Sequence, residues 1–207
     1  MKIHHALTCL FLGGILAFAS GCQSTLTTTY APYYRPDYSK LGRIRVALQP
    51  VTDHRSDKPN VYYLNSKNGD TGEFDRPAAD IVREAVETEL ERAGQTLCES
   101  SSSAAVLSCE LLELRASIAE PFMESATLDL NVAIRFEWRD PKSGAVLGSN
   151  ERSEHRSRKL SRNGVPRLAA FDQAVVRDYG NEMINDLLPR VIEKELCSIS
   201  LLQQPGK

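Results

Sequence analysis

Histidine is scarce in this chain, and what there is suits no metal. Four histidines are present. His4 and His5 sit at the start, which leaves His54 and His155 for the body of the chain. No Cys-x-x-Cys accompanies them, so a zinc-type ligand set is not expected, and neither is any other cofactor. Charge of one sign is also lacking: 25 Lys and Arg stand against 27 Asp and Glu, for a net charge of -2. That balance offers no basic field for nucleic acid. Long apolar runs are missing too. The longest, Ala6 to Phe18, falls short of the about 20 residues that span a bilayer. Catalytic signatures are absent: there is no Gly-x-Ser-x-Gly, no His-Glu-x-x-His and no phosphate-binding glycine loop after the first strand. Asp53-His54-Arg55 with Asp57 comes nearest to an acid–base cluster, but without a nucleophile or metal partner it reads as a turn leaving a strand. No enzymatic activity is expected.

What is present begins with Lys2, the apolar run and the small-residue exit Ala19-Ser20-Gly21-Cys22. A positive start, an apolar middle and a small-residue exit describe a secretory signal. A cysteine at that exit resembles the bacterial lipobox. The resemblance implies removal of residues 1–21 and acylation of Cys22. Two acyl chains already hold a protein stably on a membrane, and the lipobox pattern implies three. Gln23 follows where Asp would imply the inner membrane, so the pattern implies the periplasmic face of the outer membrane.

Residues 22–40 are rich in Thr, Tyr, Pro and Ser and show no period. They read as a lipidated, flexible tether spanning roughly 23 Å. Tyr30, Tyr33, Tyr34 and Tyr38 have two readings, on lipid headgroups or packed back on the domain. Residues 41–197 read as one domain and 198–207 as a tail. Arg43 to Asp53 alternates as a strand, and 54–75 reads as a long polar loop. Pro77 to Ala93 repeats its apolar residues at three and four, as a helix does, and Gly94 stops it. Gln95 to Cys98 is a short strand. Ala105 to Ala116 is a strand whose apolar parity shifts between Leu111 and Leu112, the mark of a β-bulge. From Ala126 to Trp138 the alternation is strict, with one face buried. Asp140 to Gly144 is a turn, and Ala145 to Arg158 a polar edge strand. Pro166 to Leu196 is a helix that Gly180 weakens and Pro189 kinks. The expected class is α+β: a two-layer sandwich, order β-α-β-β-β-β-α, with a mainly antiparallel sheet and two helices on one face.

Positive charge gathers late in the chain at Arg152, His155, Arg156, Arg158, Lys159 and Arg162. One reading is an edge strand kept from pairing by its charge. The other is a contact for anionic lipid, lipopolysaccharide or an acidic partner. Three cysteines, Cys98, Cys109 and Cys197, lie beyond the lipobox. If each element reverses direction, all three reach one edge of the domain. Parity then puts Cys109 toward the helices and predicts a Cys109–Cys197 disulfide with Cys98 free; Cys98–Cys109 is the rival pairing.

Taken together, several features resemble the YajG family of outer-membrane lipoproteins. They are the lipobox Cys22, the strand running into Asp53-x-Arg55, the helix ending Glu91-Arg92-Ala93-Gly94, the strand series 105–158 and the long final helix. The resemblance implies a periplasmic α/β domain without enzymatic residues, held to the membrane by lipid and acting as an accessory or assembly factor on an envelope protein partner. The alternative is a binding module for anionic lipid, lipopolysaccharide or peptidoglycan.

Overall fold

The computed structural model describes residues 23–65, 70–119, 126–160, 173–199 and 201–202. Its frame is three long antiparallel strands: β7 (Ala105–Ala119), β8 (Ala126–Arg139) and β9 (Val146–Leu160). In β8 the sequence alternation becomes a two-sided strand. Leu128, Leu130, Val132, Ile134, Phe136 and Trp138 are buried, while the residues between them line the other face. Burying each such side chain is worth about 1.5–3 kcal/mol. The expected bulge in β7 is present. Leu111 pairs with Ile134 and Glu113 with Ala133, which leaves Leu112 as the extra residue. The slip keeps Leu107, Cys109, Leu111, Leu114 and Ala116 all on the buried face. The Asp140–Gly144 turn closes with Gly144 at φ +72.

The second edge of β7 is shared by three short parallel strands in succession: β2 (Arg45–Leu48), β3 (Thr52–Asp53) and β4 (Val61–Asn65). β6 (Thr96–Leu97) extends β2. β5 (Asp70–Phe74) pairs antiparallel with β4, and β1 (Gln23–Leu26) pairs parallel with β5. The class is α+β as expected, with a nine-stranded sheet that is mixed rather than mainly antiparallel.

Helix α1 (Ala78–Arg92), helix α2 (Gln173–Glu182), a π-helical turn (Met183–Leu187) and helix α3 (Leu188–Ser198) cover one face. Pro189 sits in the first turn of α3, directly after the π turn. The predicted kink is therefore a one-turn widening, which tolerates the missing proline N–H. Gly180 does more than weaken a helix. A Cβ there would come within 2.7 Å of Leu26 and 3.0 Å of Tyr62, and one on Gly72 within 2.6 Å of Val176. The two glycines let α2 lie close on β1 and β5.

Two expectations are corrected. The loop at 54–75 holds the β4–β5 pair; its turn residues link two strands whose apolar Val61, Tyr62, Tyr63 and Phe74 are buried. The stretch at 22–40 is not a tether from Gln23 on. β1 belongs to the sheet with Ser24 and Leu26 buried, and residues 27–40 lie as a strap across the outside of the helices.

Candidate functional site

Cys22, the candidate acylation residue, lies outside the described residues, as do residues 1–21. The structure begins with its neighbour, Gln23, already hydrogen-bonded into the sheet at the head of β1.

The strap that follows is fixed by a few buried polar groups. Asp75 N–H donates to the Leu26 carbonyl, and Thr28 N–H to Asp75 Oδ1. Ala31 N–H donates to Asn185 Oδ1 at 2.8 Å and Tyr33 N–H to the Asn185 carbonyl at 2.8 Å. Asn185 lies four residues before Pro189, the residue with no N–H to give, so its carbonyl is available to the strap. The Tyr30 and Tyr38 hydroxyls each donate to Glu89 at 2.8 Å. Glu89 is fully buried in α1 and also accepts from Arg92 at 2.6 Å. Burial, reinforced by the Glu89 charge, pushes both phenols above the ordinary tyrosine range. Farther along, Tyr34 donates to Glu193, and the Arg190 guanidinium stacks 3.8 Å from the Tyr34 ring centre. The tyrosines pack back on the domain, except that Tyr33 stays exposed.

The basic strand does not form one surface. Along β9 successive side chains point to opposite faces. Arg152, Arg156 and Arg158 turn toward the helices and meet carboxylates there. Arg152 Nε donates to Glu195 at 2.9 Å. Arg156 contacts Glu182 at 2.6 Å and also Asp186. Arg158 lies 3.2 Å from Glu182 and stacks over Tyr179. His155 faces the open side, hydrogen-bonded to Asn131 and 3.7 Å from Asp129. Lys159 is exposed on that same side, and Arg162 falls outside the described residues. The arginines serve as ties between the edge strand and the helix layer.

Buried carboxylates are the feature that the sequence reading passed over. Glu195 is fully buried and accepts from Trp138 Nε1 at 2.9 Å, Asn150 Nδ2 at 3.3 Å and Arg152 Nε at 2.9 Å. Both of its oxygens are engaged, Oε1 by Trp138 and Asn150 and Oε2 by Arg152. Asp53-x-Arg55 is saturated in the same way. The Arg55 side chain, 3% exposed, grips Asp53 through Nε and Nη2 at 2.9 and 2.8 Å. It also donates to the carbonyls of Val61, Leu114 and Pro59. All five of its N–H groups are used, and together they tie β3, β4 and β7. The imagined acid–base cluster is a structural clamp. His54 stands 3.9 Å from Glu110 on the open face. No group of His, Cys, Asp and Glu suited to a metal occurs among the described residues.

The predicted Cys109–Cys197 disulfide is not formed among the described residues. Cys109 faces the core as its parity requires, and burial pushes its thiol well above the usual range. Cys197 lies on the other side of α3, with its sulfur 3.9 Å from the Asp37 carbonyl under the strap. Leu196, one residue earlier, takes the place facing the sheet. Cys98 carries a half-buried free thiol.

No family model matches this chain, and no curated protein matches it in sequence. Several solved structures are similar in fold. A protein of the DUF330 family from Xanthomonas campestris aligns with a TM-score of 0.55 at 12% identity, over 84% of this chain and 94% of that one. A minor lipoprotein from Acinetobacter baumannii aligns at 0.41 and 12% identity, over 78% of this chain and 97% of its own. A lipoprotein from Neisseria meningitidis aligns at 0.38 and 10% identity, over 68% and 95%. Among these, the likeness to the Xanthomonas campestris protein shows a shared fold.

Proposed function

We propose that the protein is an outer-membrane lipoprotein, acylated at Cys22, that faces the periplasm and acts without catalysis as an accessory or assembly factor for an envelope protein. The observation that carries this reading is the run Ala19-Ser20-Gly21-Cys22 ending directly before β1, so that signal and folded domain abut at the residue to be acylated. The engaged carboxylates and the clamped Arg55 support a non-enzymatic role, since these groups serve to hold the fold. The pairing of Arg152, Arg156 and Arg158 with acidic helix residues weighs against the alternative of a broad anionic-ligand surface.

A protein contact has a natural place at the far end of β9. Val146 and Leu147 are 50% and 47% exposed there, on a strand that pairs only with β8 among the described residues. The register slips between Trp138 and Arg139, which leaves Leu147 as the extra residue in its strand. An exposed apolar pair on an open edge suits a partner strand or loop. Two measurements test the proposal. Cys22→Ser should abolish palmitate labelling and outer-membrane fractionation; retained labelling refutes the acylation. A photo-crosslinking residue at position 147 should capture a defined envelope protein in intact cells; capture of none in repeated trials counts against the accessory role.

A further inference from the structure

The strap and β1 leave no slack in the chain from Gln23 on. Gln23 pairs with Thr71, and Ser24, Thr25 and Leu26 continue the ladder along β5. Beyond them the chain is held at Leu26, Thr28, Ala31 and Tyr33 by the hydrogen bonds to Asp75 and Asn185. Neighbouring Cα atoms are about 3.8 Å apart, so Cys22 stays within that distance of the head of β1. The same stretch as free coil would wander roughly 23 Å.

The strand register shows which end of the domain this is. Thr71 pairs with Leu64, and Tyr63 lies beside Ala116. One residue on, Ser117 pairs with Asp129, and Asp129 with Ser157. Gln23 therefore stands level with the closing residues of β7, the opening residues of β8 and the closing residues of β9. The Asp140–Gly144 turn is at the opposite end, about 37 Å from the Asp129 row at the rise of an extended strand. Two exposed side chains at the Gln23 end suit the border of a bilayer. Leu64, 40% exposed, shares a register row with Gln23 and Thr71. Lys159 is exposed on β9, across the sheet at the same end. An apolar side chain can enter the acyl boundary, and an ammonium on a long stem can reach anionic phosphates.

We infer that the Gln23 end of the sheet faces the lipid surface at close range, so that the domain stands end-on and presents Val146 and Leu147 away from the membrane. This rests on the acylation of Cys22 proposed above. This placement needs no affinity of its own, because the covalent leash holds the domain at the surface.

The test uses the full acylated chain with Cys98 and Cys197 replaced by serine, in phosphatidylethanolamine–phosphatidylglycerol vesicles containing a nickel-chelating lipid. Nitroxides are placed through Ser157→Cys at the Gln23 end and Lys142→Cys at the far turn. The expected result is several-fold greater relaxation enhancement at 157 than at 142. A Gly/Ser spacer of about 12 residues between Cys22 and Gln23, which reaches roughly 20 Å, should bring the two values together. Equal enhancement at the two positions without the spacer, with palmitate still on Cys22, overturns the end-on seating and leaves the acylation standing. A difference that survives the spacer overturns the short leash as its cause. Loss of palmitate labelling defeats both readings.

Discussion

The β7–β9 sheet and the strap at 27–40 are held by opposite means. The sheet is continuous: backbone pairs run the length of three strands, and one face carries an unbroken row of buried side chains. Any single link is one of many. The strap is punctual. It crosses the helices on Asn185, Glu89 and Glu193, with partners 51 to 159 residues away in sequence. The comparison teaches where each region is vulnerable: the sheet to lost volume, the strap to the loss of one acceptor.

The largest effect should come from the sheet. Leu130→Ala removes a buried side chain from the middle of β8 and should cost about 2–5 kcal/mol, read from chemical denaturation. Next comes the strap. Glu89→Ala leaves one buried and one half-buried hydroxyl without their acceptor and should cost about 1–3 kcal/mol. Hydrogen exchange sharpens this contrast: in Glu89→Ala the Ala31 and Tyr33 amides should exchange faster while the β8 amides stay protected. If both regions loosen together, the strap is no separate unit.

Alkaline pH should act on the strap as well. Folding raises the Tyr30 and Tyr38 pKa above the ordinary value of about 10. The sign follows from the unfolded chain, which loses those protons first. The stabilisation is complete below about pH 10 and is lost as pH rises above it. A Tyr30→Phe/Tyr38→Phe variant should lose less stability than the parent between pH 9 and about 11, measured by thermal unfolding; equal loss would place the alkaline sensitivity elsewhere. The smallest effect belongs to the open face. Asp129→Ala should change stability by no more than about 0.5 kcal/mol, and a change as large as that of Leu130→Ala would reverse the face assignment.

How much of this was legible in the sequence depends on how local each cause is. The β8 alternation, the β7 bulge at Leu111-Leu112 and the Asp140–Gly144 turn are written in consecutive residues, and the structure has all three. β1, β4 and β5 were not legible, because their pairing depends on one another and on Gly72 and Gly180 making room. The basic strand was legible as charge, but its meaning was not: the pleat divides it, and its carboxylate partners lie on helices at the end of the chain. Glu89 and Glu195 did leave a signal. Each sits on the apolar stripe of its helix, three and four residues after Val86 and Ala85 or Ile192 and Val191. A charged residue on a stripe of that kind marks a buried partner in waiting. The missing disulfide turned on helix phase: Cys197 is one residue past Leu196, about 100° around α3 from the sheet.

The strap also sets the order of events as the chain folds. The Asn185 carbonyl, Glu193, Cys197 and the Leu202 carbonyl, which receives Gly42 N–H, all follow the sheet in sequence. Closing contacts of that sequence separation is slow and comes late. The strap residues are thus among the last to settle. Until the final helix is in place, residues 27–40 have no acceptors to close on, and completion of the fold then fixes them across the helices.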